Sequence, residues 1–475
     1  MSFMGKDGKP DMLYKYFSIL LLASLLTSVV GCRGYSPPAE SSNSLSSKPA
    51  PITHSPPQTP LIRKFQEASL STPAKKDEPK GNLTLRQAAA LALLKNPTLA
   101  AFSQEIRVQE ARVLQAGLLP NPRLSVQGSN LGNAALKGPD GASTTVQLSQ
   151  LILLGGKIAK RIKAAQLTQD LAGWDYETKR VNVLTQVAQS FIAVLSAQRR
   201  LALVQQLVSL AQQVATTVSK RVQAGKISPV EETKAQVALS SVHIQLTRAE
   251  RNLTTARKQL AATWGSTTPR FQQAAGQMGD VASLPSLEQL TQLISQNPDL
   301  ARWTTEIAQR QAFIKLEKSK AIPDITVNFG GTEYANNGDY AVMAGISIPL
   351  MLFDRNQGNI LTAEHQLTKA EEARRAAQVR VATALSTAYQ RLAAAHAEAT
   401  ILKTQILPGA QSAFDAVNKG FRLGKFAFLS VLDAQRTLFD SKSQYLRALT
   451  DYHQAATEVE RLIGEPLETA RAKGE

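Results

Sequence analysis

Side chains able to do chemistry are few and far apart in this 475-residue chain. Five histidines, His54, His243, His365, His396 and His453, have no histidine partner four residues away, and no H-E-x-x-H occurs. The spacing that lets two imidazoles share a zinc ion on one helix face is therefore absent. Gly155 and Gly156 enter a helical stretch as a phosphate-binding loop does, but no G-x-x-x-x-G-K-[ST] follows them, and a strand-to-helix joint accounts for the pair. Ser228 has no base beside it in sequence and reads as a turn serine. The sequence predicts no catalytic residue, no metal site and no cofactor, which argues against an enzyme.

The one remaining reactive side chain is Cys32, the only cysteine, so an intrachain disulfide is excluded. It closes the apolar run YFSILLLASLLTSVVGC, which follows Lys6, Lys9 and Lys15. The run is short and ends in small residues, as a secretory signal does. The small residue directly before Cys32 resembles the bacterial lipoprotein processing box, which implies diacylation on the Cys32 sulfur. Arg33 follows instead of the aspartate that holds such proteins at the inner membrane, so the expected address is the outer membrane. Residues 1–31 are then a signal peptide, and residues 32–81, with SPPAESSNSLSSKPAPITHSPPQTP, a lipid-anchored Ser/Pro-rich tether. The formal charge of +17 invites a nucleic-acid reading. The lysines and arginines are scattered along helical segments without a compact basic run, so they read as solvated helix faces and nucleic acid is excluded as a partner.

The remaining chain is written twice. LRQAAALALLKNPTLA from Leu85 aligns on SLEQLTQLISQNPDLA from Ser286, Pro122 on Pro323, QAGKISPVEETKAQ from Gln223 on RLGKFAFLSVLDAQ from Arg422, and Gly265 on Gly464. Landmarks that keep a spacing of about 200 residues mark a duplicated unit. The expected units are residues 82–270 and 271–466, followed by a tail, 467–475. Each unit predicts a short helix, a longer helix, two strands, a very long helix, a glycine turn and another long helix.

Period-two alternation marks the strands: Leu124 and Val126; Val146 and Leu148; Ile325, Val327 and Phe329; Tyr340, Val342, Ala344, Ile346 and Ile348. One apolar face and one wet face suits a membrane barrel, but four strands cannot close one alone. After Gly156 no proline interrupts the chain until beyond Gln223, and Val187, Phe191, Val194, Leu201, Val204, Val208, Ala211, Val214, Val218 and Val222 recur at three- and four-residue steps. This is the seam of a long packed helix. The counterpart, from about Gln357 to Phe421, contains Pro408-Gly409 and is expected to bend or break there.

An exported, duplicated chain with two strands and two long helices per unit resembles the TolC family of outer membrane efflux ducts. IPLMLFDRNQGN from Ile348 is similar to the signature of its heavy-metal, CzcC-like branch. The resemblance implies a fold that is mainly α with transmembrane β: a homotrimer in which four strands per chain form a twelve-stranded outer membrane barrel above a helical coiled-coil tunnel in the periplasm. It implies an exit duct for divalent heavy-metal cations, working with a periplasmic adaptor and a proton-driven RND-type inner membrane transporter. Organic compounds or a secreted protein are alternative cargoes, and a surface coiled-coil scaffold or adhesin is the reading outside transport.

The family's turn pattern, R-x-x-x-G-x-x-S-x-x-[DE], falls on Arg221, Gly225, Ser228 and Glu231, and in the second unit on Gly424, with Ala427 in the serine's place. The resemblance implies that Arg221, Gly225, Lys226, Ser228, Gly424 and Lys425 form adaptor-docking turns. It assigns Glu231, Phe421, Phe426, Ser430 and Asp433 to the aperture, with Phe421 and Phe426 standing where the family has tyrosine and arginine.

Overall fold

The computed structural model describes residues 78–130, 142–279, 281–335 and 338–472, all within the unit Ile52–Glu475. The signal segment, Cys32, His54 and the tether through residue 77 lie outside the described residues. The first repeat runs through β1 (Asn82–Thr84), α1 (Leu85–Lys95), α2 (Pro97–Gly117), β2 (Arg123–Ser129), β3 (Ser143–Ile152), α3 (Lys157–Gln223) and α4 (Pro229–Ala262). The second follows the same order through β4 (Gln273–Ala275), α5 (Leu287–Leu293), α6 (Pro298–Lys320), β5 (Ile325–Tyr334), β6 (Tyr340–Ser347), α7 (Gln357–Ile401), α8 (Leu407–Arg422) and α9 (Phe428–Ile463). After residue 466 comes α10 (Leu467–Ala472), which buries Leu467 and Ala470 against the second repeat.

Side-chain caps place the helix starts in both repeats. Thr84 and Gln87 exchange hydrogen bonds as a capping box ahead of α1, and Ser286 and Gln289 do the same ahead of α5. Asn96 and Asn297 each cap the next helix with Oδ1, and each has a proline at the first helical position, where a missing N–H costs nothing. The amide nitrogens of the same two residues reach the far end of their own repeat, Asn96 to Thr263 O at 2.7 Å and Asn297 to Leu462 O at 2.9 Å. Each asparagine thus closes its repeat while it starts a helix.

The 67 residues of α3 extend roughly 100 Å at 1.5 Å per residue. Its seam is the expected one: Val187, Phe191, Val194, Val204, Ala211, Val214 and Val218 are buried. The counterpart helix departs from regular α-helix where the sequence places a bend or break: just ahead of Pro408, α7 passes through a π-helical turn, Leu402–Ile406, into α8. Proline lacks an N–H and its ring collides with the carbonyl four residues back; widening the helix by one residue ahead of it relieves both.

Four strands make one antiparallel sheet in the order β2-β3-β5-β6, so the pair β3–β5 joins the two repeats. Directly opposed residues share a face: Leu124 with Leu148, Val126 with Val146, Leu148 with Phe329, and Val327 with Ile346. That face is apolar and exposed, with Val126 at 66% and Ile346 at 71%. The other carries Ser125, Gln127, Thr145, Gln147, Asn328 and Thr332. A second, parallel pair, β1 with β4, was not legible in the sequence, because three residues are too few for a period-two pattern.

Candidate functional site

The functional features of the fold lie at the two ends of α3: a pair of turns at its C-terminus and the sheet at its N-terminus. In the first turn Gly225 N donates to Val222 O and Lys226 N to Arg221 O, both at 2.9 Å. In the second, Gly424 N donates to Phe421 O at 3.0 Å and Lys425 N to Gly420 O at 2.8 Å. This is the same helix-terminating motif made twice, and it needs a left-handed residue. Gly225 (φ +69°) and Gly424 (φ +78°) supply it, and an added β-carbon would meet nothing within 4 Å at either. Glycine is required here for conformation, not for room. The chain then re-enters helix through Ser228, whose Oγ accepts from Val230 N at 3.3 Å, whereas Ala427 offers no side-chain cap.

Arg221 spans the two turns. Its Nη2 donates to Phe421 O at 2.7 Å and to Arg422 O at 3.2 Å, and its guanidinium lies 4.2 Å from the centre of the Phe421 ring. Phe421 is buried and also contacts Phe428, ring centres 6.3 Å apart. Beneath them a shared apolar cluster joins Val214 and Val218 of α3, Ala235 and Leu239 of α4, and Phe428 and Val431 of α9. The other residues named from sequence stay apart from this contact. Glu231 is half-buried and pairs with Lys234 at 2.9 Å. Phe426 is half exposed, its ring against Gly420; Ser430 is half-buried, and Asp433, Lys226 and Lys425 are exposed.

At the opposite end, the joints between sheet and helices are held across the repeats by residues that the sequence reading missed. Asp324, just ahead of β5, accepts from Leu154 N at 2.9 Å and from Lys157 Nζ at 2.6 Å. Gly156 and Asn356 occupy matching N-cap positions in left-handed conformation. Asn356 also donates to Glu317 O at 2.9 Å and Oε2 at 2.8 Å. Burial pushes the Glu317 carboxyl up, but hydrogen bonds from Lys320 and Asn356, together with the Lys320 charge, hold it below the usual carboxylate range. Asn356 lies inside the stretch IPLMLFDRNQGN, so its signal was present; Asp324 carried none. Among the described residues no three His, Asp or Glu side chains converge on one point.

Two long helical hairpins tied at their turns and joined to an open sheet with an exposed apolar face are the protomer of an outer membrane duct. The chain belongs to the outer membrane efflux protein family, which residues 88–266 and 290–465 match. It is 38% identical, over 82% of its own length and 91% of the relative's, to the cobalt-zinc-cadmium resistance protein CzcC of Cupriavidus metallidurans. It is 25% identical to the nickel-cobalt-cadmium resistance protein NccC of Alcaligenes xylosoxydans xylosoxydans, covering 62% of this chain and 66% of that one. The crystal structure of a membrane protein from Pseudomonas aeruginosa shares the fold, with a TM-score of 0.69 at 19% identity over 80% of this chain and 90% of that one.

Proposed function

We propose that this efflux protein is the exit duct for divalent heavy-metal cations in a tripartite pump. The duct is a homotrimer, docks onto a periplasmic adaptor through the Gly225 and Gly424 turns, and receives its cargo from a proton-driven RND-type inner membrane transporter. Cys32 adds a lipid anchor to the barrel. The observation that carries the metal reading is the 38% identity to a protein named for cobalt, zinc and cadmium resistance, extending over nearly all of that relative. The trimer is supported by the sheet, whose outer strands β2 and β6 each leave one edge unpaired. In lipid such edges must find partners, and three four-stranded sheets closing on one another provide them.

The test is a deletion strain challenged separately with zinc, cobalt and cadmium salts and with organic toxicants. Sensitivity to the metals, reversed by the gene, is expected. Sensitivity confined to organic compounds would move the cargo while leaving the duct, and no change in any of them would remove the protein from efflux in that cell.

A further inference from the structure

We propose that residues 348–353, the apolar half of the stretch IPLMLFDRNQGN, clasp the next copy of this chain just below the barrel, against its residues 118–122. The inference rests on the trimer reading and goes beyond it by assigning a contact outside the sheet. The first observation is exposure. Ile348, Leu350, Leu352 and Phe353 are all exposed, Leu350 at 80% and Phe353 at 90%. Apolar side chains left wet side by side mark an interaction surface. The stretch is nonetheless well tied. Leu352 N donates to Leu350 O at 2.9 Å, Arg355 Nε to Met351 O at 3.2 Å and Gln357 Nε2 to Phe353 O at 3.1 Å, while Asn356 fastens the segment to Glu317 of α6. Polar groups are thus spent on the stretch's own chain, and its apolar side chains are held out.

The sheet topology selects the occupant. β2 and β6 are the two outer strands, and because every step in the order β2-β3-β5-β6 is antiparallel, they run in opposite directions. When the free edge of β6 meets the free edge of β2 in another copy, the pairing is antiparallel again. The end of β6 at Ser347 then lies beside the start of β2 at Arg123. The chain that leaves β6, residues 348–353, therefore runs alongside the chain that enters β2, residues 118–122. That entering stretch presents Leu118 and Leu119, both exposed. It too is fixed by its own chain: Arg161 donates to Ala116 O at 2.6 Å and to Leu118 O at 2.9 Å, and Gln150 donates to Pro120 O at 3.1 Å. Two surfaces already held in place lose little conformational freedom on meeting. Within one chain they lie on opposite edges of the sheet, so a neighbour must bring them together. Each copy offers one surface to the copy on one side and the other surface to the copy on the other, a heterologous contact that closes into a ring.

The test is crosslinking of the full-length protein in outer membranes, using a short bismaleimide reagent and the pair Leu119→Cys, Leu350→Cys in one chain. The pair should give covalent dimers and trimers. Either single variant, or Leu350→Cys combined with Leu423→Cys at the far end of the hairpins, should give monomers alone. In parallel, Phe353→Ser should lower by several degrees the temperature at which extracted trimers fall apart. Phe353→Leu should recover most of that loss, because such a contact asks for apolar volume rather than for a ring. If the first cysteine pair disturbs assembly, Leu118→Cys with Phe353→Cys is read in the same way. Assembled trimers in which neither pair crosslinks overturn the clasp. In such trimers, a bimane label on Leu350→Cys that is quenched by doxyl phospholipids would assign the surface to the membrane instead. Wild-type protein that is monomeric on gentle extraction would remove the trimer reading, and the clasp with it.

Discussion

The Arg221 guanidinium lies 4.2 Å from the centre of the Phe421 ring and donates, at 2.7 Å, to the carbonyl of that same residue. One side chain is thus gripped by another residue's ring and backbone together, across 200 positions of sequence. Phenylalanine has no hydroxyl to offer a polar partner, yet its ring face accepts a cation. Ring and carbonyl of one residue thus hold the guanidinium that joins the two hairpins.

The two faces of the sheet predict opposite responses to charge. Val146 and Gln147 are neighbours in β3, but Val146 lies on the exposed apolar face and Gln147 on the polar one. Val146→Arg should destabilise the folded barrel by about 2–4 kcal/mol if it lies near the bilayer midplane. Gln147→Arg should be nearly neutral. Urea unfolding from lipid vesicles checks this, and equal losses at both positions would mean that the faces are not lipid and lumen.

Replacing Gly225 and Gly424 with valine should cost on the order of 1 kcal/mol or more at each turn, because the left-handed backbone brings a β-carbon onto its own carbonyl. The open space around both positions means that the side chain itself fits. Trimers should still form, while crosslinking to the adaptor should fall. Asparagine, which visits this conformation more readily, should restore much of it. Full efflux and unchanged crosslinking in the double valine variant would take the turns out of the docking surface.

His453 gives the tunnel wall a pH dependence. Burial holds its imidazole below the ordinary value near 6.5, partly opposed by its hydrogen bond to the Gly279 backbone and aided by the Arg199 charge. A folded-state pKa below the unfolded one means that the unfolded chain binds more protons in between. Stability contributed by the neutral ring is therefore full above pH 6.5 and declines as the pH falls through the window beneath it. The melting temperature of wild-type trimers should drop more between pH 7.5 and 5.5 than that of His453→Gln. Parallel pH curves for the two proteins would exclude His453 as the source.

Lipidation at Cys32 predicts that labelled palmitate enters the wild type and not Cys32→Ser. Because the barrel is itself a membrane anchor, the serine variant should still reach the outer membrane and assemble. Equal labelling of both proteins, or none of either, ends the lipoprotein assignment.

Local patterns already determined much of this protein. Alternation along Val146–Leu148 and Tyr340–Ile346, three- and four-residue steps along α3, caps at Thr84 and Asn96, and glycines at 225 and 424 are properties of short segments. Backbone periodicity and steric rules act within a few residues, so such segments declare their conformation by themselves. The repeat order followed from the same landmarks. Only the tertiary structure decided which distant groups meet: β3 beside β5, β1 beside β4, Asp324 on Lys157, Ser196 on Thr450, and Arg221 on Phe421. It also decided that the interruption at Pro408 takes the form of a π-turn. These outcomes depend on how long helices pack, and packing compares alternatives that no local stretch contains.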